Sequence, residues 1–282
     1  MSIYIFIITI SKSFNPMKNA LKHFIIILLV VGLFSGCTLE HNAKEGTDNE
    51  YLLLATLFQQ KAAEKRALSY QAFNIAKLSL DNQLKIADLT KPLAVIVDID
   101  ETVLDNSPFE AKSILNNSDY PKYWDEWCQL AAAKPLAGSV EFLNYAKSKG
   151  VAVFYITNRK IKLMEPTLKN LNEKGFPFAD EDHVLMRLDD SNKESRRNLV
   201  ATNHQIALLI GDNLGDFIHV FDDKNIVDRF LLTDNYKSEF GVKFIVLPNP
   251  MYGSWLNDLF NNNSDLLKEE KIKILKMELE SF

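Results

Sequence analysis

Short, uninterrupted apolar runs constrain the fold of this chain more than any other feature of its sequence. They occupy residues 93–97, 151–156 and 206–210, and a fourth, 243–247, begins with Lys243 before four apolar residues. An apolar run of strand length without polar alternation is typical of a strand buried on both faces. Stretches of helical periodicity at 139–149, 163–174 and 193–203 separate the runs. This alternation predicts an α/β fold, a Rossmann-like doubly wound parallel sheet with helices on both faces.

Two segments depart from the alternation of strands and helices. Residues 51–87 repeat apolar side chains at steps of three and four without glycine or proline, which predicts one or two N-terminal helices packed on the body. Residues from about 106 to 135 include an aromatic cluster and read as an insertion, a small cap, in a folded domain over 51–282. The cluster consists of Tyr120, Tyr123, Trp124 and Trp127.

The first 36 residues have the pattern of a secretory signal peptide. They contain three lysines and no acid, and an apolar run from Phe24 to Phe34. That run is about half of the ~20 residues that a spanning helix needs, so a cleaved signal is favoured over a permanent anchor. The ending Ser35-Gly36-Cys37 resembles a bacterial lipobox, in which the cysteine carries the lipid. An uncleaved anchor or a buried free cysteine is the alternative.

These features predict a signal peptide over 1–36, a lipid on Cys37 and a flexible tether over 37–50. An earlier apolar stretch ends at Pro16, so Met17 is an alternative start of translation. We expect an exported bacterial lipoprotein at the outer membrane, on its periplasmic or surface side. The net charge of -5 and the lack of a basic cluster argue against a nucleic-acid polymer as partner. Cys128 has no Cys/His neighbours in sequence and is expected to be a buried hydrophobe.

Four aspartates follow two of the apolar runs. Asp98 and Asp100 come directly after the first run, and Asp212 and Asp216 follow the third. The carboxyl ends of parallel strands meet at one edge of a sheet, where ligands bind. One aspartate there could simply cap a helix, but four bunched carboxylates need a cation or a shared proton. Hard oxygen ligands of this kind predict a Mg²⁺ site.

The spacing of Asp98 and Asp100 also suits phosphoryl transfer. One carboxylate can attack phosphorus while the other moves a proton, and the resulting acyl phosphate is labile enough to hydrolyse. Lys193 stands at a predicted helix start, where its charge and the free N–H groups favour an anion. A solvated lysine is the ordinary alternative, and the position of Lys193 between the second and third site strands argues against it.

Four segments together resemble the motifs of the haloacid dehalogenase (HAD) superfamily. They are the DIDETVLDN stretch at 98–106, ITNR at 156–159, Lys193 and GDNLGD at 211–216. The extended first and last motifs are similar to those of the class C acid phosphatases, the bacterial lipoprotein acid phosphatase/5′-nucleotidase family. The resemblance covers about residues 50–260 and implies a HAD-like fold and a homodimer.

The resemblance also implies a role for each motif residue. Asp98 would be the nucleophile and a metal ligand, and Asp100 the general acid/base that reaches the metal through its backbone carbonyl. Asp212 would bind the metal directly, and Asp216 would bind it through water or brace the site. The residues that would hold phosphate oxygens are Thr157, Asn158 and Lys193.

Aromatic residues of the insertion and of the segment after the last run are candidates for contact with the rest of the substrate. Tyr252, with Tyr120 or Trp124, would sandwich a nucleobase or a phenyl group, and such stacking contributes ~1–3 kcal/mol per base. The alternative is that they pack a small cap or a dimer contact. Packing is the favoured interpretation for Trp124, Trp127 and Trp255 taken singly. For Tyr252, packing and contact with the substrate are equally favoured.

The sequence therefore predicts a Mg²⁺-dependent acid phosphatase. It would hydrolyse small phosphomonoesters, including nucleoside 5′-monophosphates, through an aspartyl-phosphate. One alternative is a surface lipoprotein that binds a ligand or partner and whose phosphatase activity is incidental or lost. Another is a phosphotransferase that uses an acceptor alcohol. Asp98 is present, which favours activity.

Overall fold

A five-stranded parallel sheet forms the centre of the structure, a computed structural model that describes residues 50–86, 90–222 and 224–282. The sheet has the order β5-β4-β1-β6-β7, and a separate antiparallel ladder pairs β2 with β3. In chain order the strands are β1 (Leu93–Val97), β2 (Leu104–Asp105), β3 (Lys134–Pro135), β4 (Ala152–Lys160), β5 (Val184–Arg187), β6 (Gln205–Gly211) and β7 (Phe244–Val246).

Ten α-helices lie in the described part of the chain. They are α1 (Leu53–Lys61), α2 (Ala63–Ile86), α3 (Ser107–Leu115), α4 (Trp124–Gln129), α5 (Ser139–Ser148), α6 (Met164–Glu173), α7 (Glu194–Asn203), α8 (Ile226–Asn235), α9 (Ser254–Leu259) and α10 (Lys268–Met277). Short 3₁₀ helices occupy Glu50–Leu52, Ile161–Leu163, Leu214–Asp216 and His219–Phe221.

Both faces of the sheet are covered. Successive side chains of a strand point to opposite faces, and all five residues of β1 are buried. Val95 packs in a cluster with Leu80 of α2 and Leu143 of α5, whereas Ile96 packs in a second cluster with Val200 of α7. The central strand is therefore apolar throughout because it contacts helices on each side. This arrangement confirms the predicted doubly wound α/β fold.

The structure refines several predicted boundaries. An extended residue, Ala62, divides the N-terminal helical segment into α1 and α2, and Ala87 lies outside the described residues. β4 continues beyond the apolar run to Lys160, so Thr157 and Asn158 lie within the strand. Its extension pairs with β5, where Lys160 is the partner of Arg187. β5 was not predicted, because a four-residue edge strand with three apolar residues is too short to stand out in the sequence.

The insertion, residues 106–135, forms α3 and α4. At its base Leu104 pairs with Pro135 and Asp105 with Lys134, which joins the two ends of the segment. Cys128 of α4 is a free cysteine and is buried, and burial raises the pKa of its thiol to about 12. A thiol in this state is a poor nucleophile, as the sequence indicated.

The predicted signal peptide, the lipid site at Cys37 and the tether through Asn49 lie outside the described residues. Among the helices of residues 50–86, 90–222 and 224–282, none combines the length and the apolar character needed to cross a bilayer.

Candidate active site

Three carboxylates converge at the carboxyl edge of the sheet and are called here the acid cluster: Asp98, Asp212 and Asp216. Asp98 directly follows β1, Asp212 directly follows β6, and Asp216 ends a 3₁₀ helix one turn later. One oxygen from each lies within 4.8 Å of the other two. The two strands are neighbours, with Val97 paired to Ile210, so their ends deliver the acids to one place.

Lys193 joins two members of the acid cluster. Its Nζ donates a hydrogen bond to Asp98 Oδ1 and forms an ion pair with Asp216 Oδ1 at 2.7 Å. The residue immediately precedes α7, as predicted, and only 6% of its side chain is exposed. Burial lowers the pKa of the ammonium, but Asp216 and Asp98 together outweigh burial and raise it above its usual value. Lys193 is therefore positively charged at any physiological pH.

The acid cluster carries more negative charge than Lys193 can neutralise. Burial, and then the charges of Asp216 and Asp212, raise the pKa of Asp98 well above its usual range, although Lys193 opposes them. Burial followed by repulsion from Asp216 raises the pKa of Asp212 to about 7. Carboxylates arranged in this way fit a hard divalent cation, which would neutralise them and accept their oxygens as ligands. The cluster could therefore hold a metal ion.

Hydrogen bonds fix the orientation of two members of the acid cluster. Thr102 Oγ1 donates to Asp212 Oδ1 at 3.2 Å, and Asn249 Nδ2 donates to Asp212 Oδ2 at 2.8 Å. The backbone N–H of Asn213 donates to Asp216 Oδ2 at 3.0 Å. Asn249 lies just after β7, so its contribution depends on the pairing of β7 with β6. A site role for Asn249 was not predicted from the sequence.

The carboxylate of Asp100 is held separately, by Arg159. The Nε and Nη2 atoms of Arg159 donate to Asp100 Oδ1 at 3.0 and 2.8 Å, and Asn106 Nδ2 donates to the same oxygen at 2.7 Å. Only 1% of the Arg159 side chain is exposed, against 18% for Asp100. The side chain of Asp100 thus stands outside the acid cluster. Its contact with a metal through the backbone carbonyl stays a prediction.

Arg159 is a site residue to which the sequence analysis assigned no role, although it stands in the second motif. Its Nη1 donates to Thr167 Oγ1 at 3.2 Å, which anchors the guanidinium to α6. Asn106 completes the arrangement, because its own Oδ1 accepts from Trp127 Nε1 at 2.8 Å. Trp127 thus has a structural contact, in agreement with the packing role favoured for it.

Thr157 and Asn158 differ in their surroundings. Thr157 is fully buried, its hydroxyl donates to Asp100 Oδ2 at 3.3 Å, and it accepts from the Arg159 N–H at 3.1 Å. Asn158 is exposed, and its Oδ1 accepts from Arg196 Nη2 at 2.8 Å. Arg196 Nη1 also donates to the Thr157 carbonyl at 2.5 Å. For both residues the phosphate-binding role stays a prediction.

A cavity of about 890 Å³, called here the cleft, extends from the acid cluster towards the insertion. Lys193, Asn158 and the three aromatic residues proposed from sequence, Tyr120, Trp124 and Tyr252, all line it. The cleft is large enough for a nucleotide-sized ligand.

The aromatic side chains of the cleft are packed as well as accessible. Trp124 lies edge-on to Phe109 with ring centroids 5.0 Å apart and stands 6.1 Å from Tyr120. The Arg159 guanidinium lies 5.5 Å from the Trp124 ring. Trp255 donates from Nε1 to the Asn249 carbonyl at 3.1 Å, a structural contact. Trp124 therefore combines a packing position with a place in the cleft wall.

Gly211→Ala is expected to disable the site without unfolding the protein. A Cβ at this position would lie 2.7 Å from Cγ of Asp216, so the Asp216 side chain must shift from its present position. A displacement of about 1 Å at a catalytic group can cost ~10²-fold in rate, and we expect at least a tenfold loss in kcat/KM and in metal affinity. Ile210→Val, a small change at the adjacent buried position, is the control. Equal behaviour of the two variants would contradict the prediction.

Comparison with known proteins supports this reading of the site. The family described as HAD superfamily, subfamily IIIB (Acid phosphatase) matches residues 40–255. The class C acid phosphatase from Bacillus anthracis is 43% identical, with a TM-score of 0.81 over 84% of this chain and 99% of that chain. Its crystal structure with tungstate bound gives 44% identity and a TM-score of 0.80, over 84% and 98% of the two chains.

A curated relative is more distant. The class B acid phosphatase of Xenorhabdus bovienii is 26% identical over 132 residues, which are 43% of this chain and 55% of that protein. The chain thus spans little more than half the length of this relative. The family match, the fold shared with the Bacillus enzyme and the aspartates at the strand ends agree. The chain belongs to the acid phosphatases of HAD subfamily IIIB and, within them, to class C.

Proposed function

We propose that this protein is a Mg²⁺-dependent phosphatase that hydrolyses phosphomonoesters, including nucleoside 5′-monophosphates, through an aspartyl-phosphate. The observation that carries the proposal is the convergence of Asp98, Asp212, Asp216 and Lys193 at the floor of one cleft. In an acid phosphatase family, such a site has the groups needed to attack phosphorus and to neutralise its oxygens.

In the first step, a carboxylate oxygen of Asp98 attacks phosphorus and the bond from phosphorus to the leaving-group oxygen breaks. Asp100 donates a proton to that oxygen as it leaves. In the second step, Asp100 accepts a proton from a water molecule, whose oxygen attacks the phosphorus of the aspartyl-phosphate. Inorganic phosphate departs and Asp98 is regenerated. Arg159 supports both steps because it fixes the carboxylate of Asp100 at the cleft wall.

Electrostatic stabilisation at this site comes from two sources. The Lys193 ammonium stays charged and lies against the nucleophile, where it can neutralise an equatorial phosphoryl oxygen. Asp98, Asp212 and Asp216, with the backbone carbonyl of Asp100, would hold Mg²⁺, which when bound supplies further positive charge to the phosphoryl oxygens. The tungstate bound by the Bacillus anthracis relative supports the proposal, because tungstate is a tetrahedral oxyanion like phosphate.

The direct test is turnover of p-nitrophenyl phosphate and AMP by the protein beginning at Thr38, with Mg²⁺ and with a chelator. We expect release of inorganic phosphate from both substrates, and loss of activity with chelator that added Mg²⁺ restores. Absence of turnover would favour the binding-lipoprotein alternative. Phosphorylated product formed from added nucleosides, in place of free phosphate, would favour the phosphotransferase.

Affinity for Mg²⁺ is expected to rise with pH through about 7. In the metal-free protein the Asp212 pKa is about 7, so below that pH a cation must displace its proton. The proton on Asp212 should change the affinity by up to about tenfold per pH unit below 7, and the raised pKa of Asp98 should add to the dependence in the same direction. Titration calorimetry between pH 5.5 and 8 measures this, with Asp189→Asn, a change outside the cleft, as the control. An affinity independent of pH would contradict the prediction.

The same raised pKa sets the sign of the effect on stability. The folded metal-free protein keeps a proton on Asp212 that the unfolded chain, with its usual pKa of 3.8, has lost. The stabilisation associated with that proton is present below about pH 4 and is lost as pH rises through 7. Thermal unfolding should therefore show a larger Mg²⁺-induced increase in Tm at pH 8 than at pH 5.5.

We propose further that the protein is an exported lipoprotein attached to the outer membrane through Cys37. Support comes from the lipobox-like sequence and from the polar residues that separate it from the folded body. Cys37→Ser should abolish incorporation of labelled palmitate in a bacterial host and release the protein into the soluble fraction. Labelling that persists in the variant would contradict the anchor.

A further inference from the structure

One wall of the cleft is built by the insertion and by the first described residues of the chain. Glu110 and Ser113 of α3, Asp119 of the following loop and Tyr51 all line the same cavity as Asp98. α3 is held there by Ile114, which packs in a buried cluster with Leu52. The phosphate chemistry uses none of these polar groups.

Ser113 has an unmet hydrogen-bonding capacity. Its side chain is 2% exposed, and its Oγ has no hydrogen-bond partner in the described part of the structure. Buried polar groups in folded proteins almost always have a partner. Rotation to another staggered χ1 rotamer redirects this hydroxyl, and the cavity beside Ser113 offers space for a ligand atom to bind it.

Glu110 and Asp119 lie close enough to Tyr51 for their charges to act on its hydroxyl. Burial, and then the charge of Asp119, raise the pKa of Glu110 to about 7. Burial followed by the charges of Asp119 and Glu110 raises the pKa of Tyr51 to about 12. Lys271 also lines the cavity, with its Nζ 6.0 Å from the Tyr51 ring centroid, and offsets only part of the negative charge. This wall is rich in hydrogen-bond acceptors.

The acid cluster and this wall therefore favour opposite chemistries. At the acid cluster, Lys193 and a bound cation would attract the phosphate. At this wall, two carboxyl groups without an ion-pair partner among the described residues attract donors and repel a second anion. A substrate in the cleft would present its phosphate to the acid cluster and its leaving group to this wall.

We propose that Glu110, Asp119, Ser113 and Tyr51 form a leaving-group subsite that selects phosphomonoesters with a neutral or cationic leaving group rich in hydrogen-bond donors. The hydroxyls of a sugar and an ammonium group both have this chemistry. A second phosphate or a carboxylate on the leaving group is disfavoured. The inference rests on the proposed phosphatase function and specifies the substrate class of the same cleft.

The test uses two aryl phosphates with end groups of opposite charge on the same two-carbon arm, at pH 8, where Glu110 is largely ionised. One is O-phosphotyramine, whose leaving group ends in an ammonium, and the other is the phosphate ester of 3-(4-hydroxyphenyl)propionate, which ends in a carboxylate. We expect the wild-type kcat/KM to favour the ammonium probe by about tenfold or more. Glu110→Gln should reduce that ratio by about fivefold, and Asp119→Asn, whose residue is exposed, by less.

Glu126→Gln is the matched control. It removes one carboxylate from the same insertion, but Glu126 is paired with Lys112 on the surface, with 58% of its side chain exposed, and does not line the cleft. The control should leave the ratio within about twofold of wild type. A ratio in Glu110→Gln equal to that of wild type, with an unchanged Tm, would overturn the subsite.

Binding measurements separate this inference from the proposed activity. The dissociation constants of both probes are measured by calorimetry on Asp98→Asn and on Asp98→Asn combined with Glu110→Gln. If wild type hydrolyses neither probe, the phosphatase proposal fails, yet a preference for the ammonium probe that Glu110→Gln removes still supports the subsite. If wild type hydrolyses both probes and Glu110→Gln changes neither the ratio of their kcat/KM values nor the ratio of their dissociation constants, the subsite fails and the activity stands.

Discussion

Asp98→Asn is expected to lower kcat for p-nitrophenyl phosphate by at least about 10⁴-fold, since removal of a covalent nucleophile typically costs 10⁴–10⁶. The amide is nearly the same size as the carboxylate and its oxygen can still accept the hydrogen bond from Lys193, so the geometry of the site changes little. The variant lacks the negatively charged carboxylate oxygen that attacks phosphorus. The loss should therefore appear in kcat at saturating substrate and Mg²⁺.

Two measurements distinguish loss of the nucleophile from loss of a metal ligand. Acid quenching during turnover with labelled substrate should trap a phosphorylated protein in wild type and none in Asp98→Asn. Asp212→Asn, in contrast, should be partly rescued by a high Mg²⁺ concentration, because it removes a ligand and leaves the nucleophile in place. Rescue of Asp98→Asn by Mg²⁺ alone would show that Asp98 serves only the metal.

The fold of the variant is a further control. Asp98 is buried and its pKa is raised, so its charge costs folding free energy in the metal-free protein. We expect Asp98→Asn to unfold at the same or a higher temperature than wild type without metal. Asp125→Asn, at an exposed residue paired with Lys162 outside the cleft, should leave both kcat and Tm near wild type. An inactive control would indicate a general effect of removing acids.

The positions of Asp98 and Asp212 were predictable from sequence because local pattern and a general rule suffice. Each follows an uninterrupted apolar run, and such runs form central strands whose carboxyl ends share an edge. The adjacency of β1 and β6 then brings the two acids together. Lys193 was found in the same way, from its place at the start of α7.

The environment of Asp100 could not be derived in this way. Its partner Arg159 lies 59 residues away, and the contact depends on how far β4 extends. That extension is set by pairing with β5, a strand of four residues that is too short to recognise from the sequence. The wall formed by Tyr51 and α3 likewise depends on packing between distant segments, in which Leu52 and Ile114 share a cluster with Phe260. Such contacts between distant segments cannot be inferred from the spacing of residues in the sequence.

Arg159→Met should cause the second large effect, a loss of about 3 kcal/mol in the free energy of unfolding and about 10²-fold in kcat. Breaking a buried ion pair leaves the remaining charge poorly solvated and typically costs 3–5 kcal/mol, and the 18% exposure of Asp100 places the expectation at the low end. The catalytic loss follows because Asp100 would no longer be fixed where it can exchange a proton with the leaving group. Chemical denaturation and steady-state kinetics measure the two effects.

Matched variants identify the cause. Arg66→Met removes an exposed arginine that stacks on Tyr70 and should change neither quantity. Arg159→Lys keeps the charge but loses the fork through which Nε and Nη2 both reach Asp100, so an intermediate loss is expected. A double-mutant cycle that combines Arg159→Met with Asp100→Asn tests whether Arg159 acts by positioning the Asp100 carboxylate. With the carboxylate neutralised, Arg159→Met should cost much less stability and almost no further rate, because the guanidinium acts through that carboxylate. Additive losses in the double variant would instead mean that Arg159 contacts the substrate directly.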